Sequence, residues 1–146
     1  MAINPSGLVV DSNVWIGLTD PADSLHGQAT KELARLPTPL SIITTNYTFA
    51  ETVTVLSQRS GRTMAREFGR RFFQRVANQE LRYVRVDAHL EDEAWQIFQA
   101  TEGKNVSFVD CLVAAVACTT KNLDVFSFDK DLKQLGQRLG FKVIGV

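Results

Sequence analysis

Apolar residues gather in short runs at 8–10, 41–44, 81–86, 123–127 and 141–144. These runs show no sustained alternation of apolar and polar positions, which predicts strands buried on both faces, as in a parallel sheet. Longer stretches between them carry helical spacing. Residues 22–36 place Leu25, Ala29, Leu33 and Leu36 on one side and stop at Pro37. Residues 47–59 and 62–77 read as consecutive helices broken at Ser60-Gly61. Residues 90–100 are amphipathic through Leu90, Ala94, Ile97 and Phe98. Residues 107–119 are apolar almost all round, which predicts a helix buried on several sides. Residues 129–139 complete the series, with Gly140 as the expected C-cap. Strands alternating with helices predict an α/β fold, a three-layer α/β/α sandwich around a mostly parallel sheet. No repeat or low-complexity tract divides the chain, so one domain is expected over 1–146.

Composition narrows this little. Hydrophobic residues make up 45% and charged residues 22%, an ordinary globular balance. Sixteen basic residues offset sixteen acidic ones, so any site for a polyanion must be local. Cys111 and Cys118 fall in one apolar helix with Cα atoms roughly 10 Å apart, too far for a disulfide. Both are expected to be buried thiols in a reducing compartment. No basic segment followed by an apolar core opens the sequence, and no apolar run reaches about 18 residues. A soluble cytoplasmic protein with no membrane partner is expected.

Four carboxylates change the picture. Asp11 directly follows the first strand and Asp129 follows the fourth. Open parallel sheets bind ligands outside the carboxyl ends of their strands, so these two should share one crevice. Asp110 is the single charged residue between Ser107 and Thr120, and Glu51 lies near the start of a helix. Each also has a structural reading. Ser107-x-x-Asp110 and Thr48-x-x-Glu51 fit capping boxes, and Asp11 and Asp129 fit N-caps. Capping and chemistry are compatible, because a cap fixes the direction in which a carboxylate points. A buried acid is costly unless it is paired or metal-bound, and no Lys or Arg adjoins Asp110 in its helix. Carboxylates without a Cys or His ligand pattern suit a hard cation, Mg²⁺ or Mn²⁺. His26 and His89 have no spacing partner, which argues against zinc.

These motifs resemble the PIN-domain nucleases, and within them the VapC-type toxins. Asp11-Ser12-Asn13 is similar to the family's opening motif, and Glu51 falls where its second acid stands. Asp110 leads into an Ala-rich helix like the third motif. Ser127-Phe128-Asp129 resembles the last, with Ser127 where Thr is usual. The resemblance spans essentially the whole chain. It implies a five-stranded parallel sheet in the order 3-2-1-4-5 and metal-dependent hydrolysis of RNA. Asp11, Asp110 and Glu51 would coordinate Mg²⁺ or Mn²⁺, with Asp129 as a fourth member and Asp131, two residues on, as its possible substitute. Asn13 and Ser127 would position ligands or the attacking water; the plainer reading makes them a turn Asn and a strand-end Ser. The toxin branch further implies a small antitoxin partner, and PIN domains commonly form homodimers.

Arginine is concentrated in one region. Arg59, Arg62, Arg66 and Arg70 follow spacings of three, four and four, which reads as a stripe for RNA phosphates, an acidic partner or solvent. Trp15, Phe49, Phe72 and Phe73 are either core or an interface. Two rival functions are weaker. A haloacid-dehalogenase-type phosphatase wants a second Asp two residues after Asp11, where this chain has Asn13. A nucleotide binder wants a Gly-rich loop after a strand, and none follows. The remaining alternative is a catalytically inactive PIN-like module that binds RNA or protein.

Overall fold

A computed structural model describes residues 7–38, 40–120 and 123–146. Its elements run β1 (Gly7–Val10), α1 (Ser12–Thr19), α2 (His26–Ala34), β2 (Ser41–Thr45), α3 (Asn46–Arg59), α4 (Arg62–Ala77), β3 (Leu81–Val84), α5 (Ala88–Gln99), α6 (Phe108–Thr119), β4 (Leu123–Phe126), α7 (Lys130–Leu139) and β5 (Val143–Ile144). The five strands form one sheet in the order β3-β2-β1-β4-β5. Every pairing is parallel, with Val9 opposite both Ile43 and Val125, and Thr45 opposite Val84. Among the described residues, no helix is long and apolar enough to cross a membrane.

Successive side chains on a strand point to opposite faces, and β1 shows what that does to an unbroken apolar run. Leu8 and Val10 join a cluster with Trp15, Leu56, Phe68 and Phe72 on the face covered by α1, α3 and α4. Val9 points the other way, into Cys111, Leu112, Ala115 and Leu132 on the face covered by α6 and α7. All four β1 residues are buried, so the central strand has no wet side.

Some elements depart from expectation. Helix α1 was absent from the hydrophobic pattern because Ser-Asn-Val-Trp-Ile-Gly-Leu-Thr is short, β-branched and contains glycine, all unfavourable to helix. Tertiary burial of Val14, Trp15 and Ile16, together with the Asp11 cap, overrides that propensity. Trp15 also donates its indole N–H to Thr44 Oγ1 at 3.0 Å, which pins α1 to the sheet. Helix α2 starts at His26 rather than at 22. Asp20 and Asp23 side chains accept the amides of Ala22 and Leu25, both at 2.9 Å, and so hold residues 20–25 in turns. Strand β5 is limited to Val143–Ile144. Cys118 is exposed, unlike Cys111, so only one of the two thiols is buried. Phe98 is 38% exposed rather than part of the α5 core face.

Gly140 caps α7 in the left-handed conformation, as expected. Gly145 matters more for the site. Its φ is +107°, and a Cβ there would lie 2.6 Å from the Ser127 carbonyl oxygen. Gly145→Ala is therefore expected to lower stability by ~1–3 kcal/mol. Thermal melting against wild type checks this.

Candidate active site at the carboxyl edge of the sheet

The candidate site is built from β1 and β4 outward. Asp11 is one residue past β1, and its amide donates to the Phe126 carbonyl of β4 at 3.0 Å. Its Oδ1 accepts the Ser12 amide at 2.8 Å, so it caps α1. Its Oδ2 accepts the Ser127 hydroxyl at 2.7 Å. Ser127 is fully buried, and its Oγ also accepts from the Asn13 amide group at 3.3 Å and the Asp129 backbone N–H at 3.1 Å. Asn13 Oδ1 in turn accepts the Phe128 amide at 3.2 Å. Asn13 and Ser127 thus stitch the β1–α1 turn to the β4–α7 turn, and the hydroxyl proton has one direction left, toward Asp11.

The other acids arrive from separate helices. Asp110 is buried at the start of α6 and completes a capping box. Its Oδ2 accepts the Ser107 amide at 2.9 Å while the Ser107 hydroxyl accepts the Asp110 amide at 3.0 Å. Asp129 caps α7 through the Asp131 amide at 2.8 Å. The Asp131 backbone amide holds that cap, and the Asp129 charge contributes to the rise at Asp11 and Asp110. Glu51 is no cap. Helix α3 begins one turn earlier than the Thr48 signal suggests, with Thr45 as N-cap holding the Thr48 amide. That leaves Glu51 exposed in the second turn.

Electrostatics tie these acids into one cluster. Burial raises the Asp11 carboxyl to about 6 against the hydrogen bonds from Ser127 and Ser12, and the charges of Glu51 and Asp129 add to the rise. Burial likewise raises Asp110 to about 6, opposed by Ser107 and reinforced by Asp11 and Asp129. Glu51 is also raised, first by desolvation; the Ser12 hydroxyl opposes this and the Asp110 charge adds to it. Ser12 is a contributor that the sequence reasoning did not single out, although it stands within the opening motif. Among the described residues, no three His, Cys, Asp or Glu side chains converge on a single point as ligands.

The expected arginine stripe divides. Arg59 ends α3, while Arg62 begins α4 after the break at Ser60 and Gly61, so it does not continue the helical row. Arg62, Arg66 and Arg70 share one flank of α4 and are exposed. Arg70 is held by Glu67 at 2.7 Å, and Arg71 by the same carboxylate at 2.9 Å. Arg71 and Arg75 lie on the other flank. There they join Trp15, Leu18, Leu33 and Met64 in the wall of a groove of about 820 Å³ between α4 and the α1–α2 pair. Of the four aromatics considered for an interface, Trp15 and Phe72 are core, Phe49 is half-buried and Phe73 is 44% exposed. Trp95, 52% exposed and stacked on Phe98 at 5.6 Å, was not foreseen.

Comparison with known proteins identifies the family and the fold. Residues 8–137 match the PIN domain family. The chain is 30% identical over 129 residues to the 23S rRNA-specific endonuclease VapC20 of Mycobacterium tuberculosis, covering 88% of this chain and 94% of that protein. The crystal structure of VapC20, described as a sarcin–ricin loop cleaving toxin, superposes with a TM-score of 0.78 at 28% identity, covering 89% of this chain and 95% of that one. FitAcB of Neisseria gonorrhoeae shares the fold, with a TM-score of 0.67 at 18% identity over 93% of this chain and 95% of its own. With its five-stranded parallel sheet in the order 3-2-1-4-5 and these matches over nearly its full length, the chain belongs to the PIN-domain family and is of the VapC type.

Proposed function

We propose that this protein is a divalent-metal-dependent endoribonuclease acting as the toxin of a toxin–antitoxin pair. The observation that carries the reading is the electrostatic cluster of Asp11, Glu51, Asp110 and Asp129 at the carboxyl edge of the sheet. Three of these acids are fixed by caps, and Glu51 is the exposed one. An all-oxygen donor set in which burial, with help from neighbouring charge, raises Asp11, Asp110 and Glu51 fits a hard cation, Mg²⁺ or Mn²⁺. When bound, such an ion lowers the pKa of a water, clamps the scissile phosphate and neutralises charge on the leaving oxygen. Asp11, Asp110 and Glu51 would hold it, with Asp129 as the fourth acid. Ser127 and Asn13 keep Asp11 turned toward the crevice.

Similarity to VapC20 makes a structured ribosomal RNA loop the first substrate to test. Incubation with a 23S rRNA stem-loop and with tRNA, followed by mapping of the new ends, is expected to show a single preferred cut. Cutting at every unpaired position would contradict a toxin-like specificity.

The groove between α4 and the α1–α2 pair is the seat we assign to an antitoxin helix, since apolar walls combine there with Arg71 and Arg75. Acidic residues on that helix would meet Arg75, and would compete with Glu67 for Arg71. Arg71→Glu with Arg75→Glu is expected to slow association with the cognate antitoxin about tenfold at low salt. Stopped-flow mixing at two salt concentrations measures this, and an unchanged rate would move the partner elsewhere. Self-pairing belongs to the same reading. The exposed Trp95–Phe98 stack lies beside Phe108, two residues from Asp110, and is the surface we assign to it.

A further inference from the structure

A second surface, separate from the groove, combines the exposed ring of Phe73 and the half-buried rings beside it with arginines, three of which have no carboxylate partner among the described residues. Arg62, Arg66, Arg70 and Phe73 follow one another along α4 at spacings of four, four and three, which places them on a single flank. The ring of Phe73 is 44% exposed. It packs edge-on against Tyr83 of β3 at 5.6 Å and tilts against Phe49 at 4.9 Å. Arg85 stands with its guanidinium 5.2 Å over the Tyr83 ring. Strand β3 is an edge of the sheet, and among the described residues no strand pairs beyond it. Among the described residues, Arg62, Arg66 and Arg85 have no ion-pair partner, whereas Arg70 is held by Glu67.

Position gives this patch a meaning. Val84 pairs with Thr45, the cap of the helix that carries Glu51, so Arg85 sits at the carboxyl edge where the acids gather. Strands lie about 4.8 Å apart, which puts the end of β3 roughly 10 Å from the end of β1 and Asp11. An aromatic platform with flanking cations is the arrangement that holds unpaired nucleotides: bases stack on the rings while arginines take phosphates. A purely electrostatic docking face would gain nothing from an exposed Phe73.

Building on the nuclease reading, we propose that Phe73, Tyr83 and Arg85, with Arg62 and Arg66, bind an unpaired stretch of the substrate RNA flanking the cut. The patch positions the substrate and takes no part in bond cleavage. Binding of a fluorescent twelve-residue oligouridylate tests it, with Asp110→Asn as the parent so that RNA is retained uncut. Phe73→Ser is expected to weaken binding roughly tenfold or more, yet leave binding of an abasic oligomer of equal charge unchanged. Arg85→Ala should weaken both. In the active chain, Phe73→Ser should raise KM on a long RNA and leave kcat alone. Equal binding by parent and variants would overturn the patch while leaving the nuclease reading intact. A parent that fails to bind the oligouridylate would overturn the patch, and cleavage of the 23S rRNA stem-loop by the active chain would tell separately whether the nuclease reading stands. Polyglutamate binding as tightly as the oligouridylate, with the same loss in the variants, would reassign the face to an acidic protein.

Discussion

Asp110→Asn is expected to abolish RNA cleavage, by about a thousandfold or more, while leaving the protein folded. The rate effect follows from removing one of the charges that would hold the metal, worth several kcal/mol of transition-state stabilisation. The fold should survive because the structural work of Asp110 is to accept the Ser107 amide at 2.9 Å, which an asparagine oxygen can also do. Removing a carboxylate that burial has pushed up to about 6 also relieves a desolvation cost, so the melting temperature should hold or rise. Asp11→Asn is a harsher change. Ser127 Oγ already accepts from Asn13 and Asp129 and donates to Asp11, so a new amide donor at position 11 would find no acceptor there. Circular dichroism and melting of both variants, beside gel-based cleavage, separate these effects. Unfolding of Asp110→Asn would mean that the capping role dominates.

The second large effect is on stability, and pH and metal should act on it in opposite directions. Asp11 and Asp110 both move from 3.8 to about 6 in the folded state. An acid with a raised folded pKa adds stability when protonated. That contribution is complete below about pH 4 and is lost as pH rises through about 6. Each pKa unit corresponds to roughly 1.4 kcal/mol, so the pair is worth a few kcal/mol across this window. Asp20 and Glu67 are lowered instead, Asp20 by the Ser60 hydroxyl and Glu67, to about 2, by Arg70 and Arg71. Their contributions are lost only as pH falls below the ordinary carboxylate range, outside the window. In EDTA the protein should therefore melt higher at pH 5 than at pH 8. At pH 8, Mn²⁺ at a hundred times its dissociation constant should restore ~2.7 kcal/mol. At pH 5 it should do less, because protons compete for the same oxygens. A melting temperature unmoved by millimolar Mn²⁺ at pH 8 would count against the metal site.

The sheet was legible in the sequence because strands buried on both faces cannot hide their apolar runs, and β1 is the clearest case. Helix α1 was not, since its residues disfavour helix and only contacts such as Trp15 with Thr44 stabilise it. Asp11, Asp110 and Asp129 could be found because each combines a helix-capping signal with an uncommon place, after a strand or within an apolar helix. For all three the structure shows the cap. The Thr48–Glu51 capping signal misled, because Thr45 at the strand end captures the cap first. The arginine row misled differently. The break at Ser60-Gly61 was legible, with Gly61 at φ 99°, but the row was carried across it, and spacing cannot see that Arg71 and Arg75 face a groove while Arg66 faces away from it. Exposure of Trp95 and Cys118 depends on which helix faces find partners, and that is decided by tertiary packing.

The most direct test of the proposed chemistry is cleavage of an end-labelled structured RNA by wild type and by Asp11→Asn, each in Mn²⁺ and in EDTA. Cutting by the wild type in Mn²⁺ alone is the expected result, and it would place Asp11 in a metal-dependent nuclease. Cutting that persists in EDTA, or in Asp11→Asn, would contradict it.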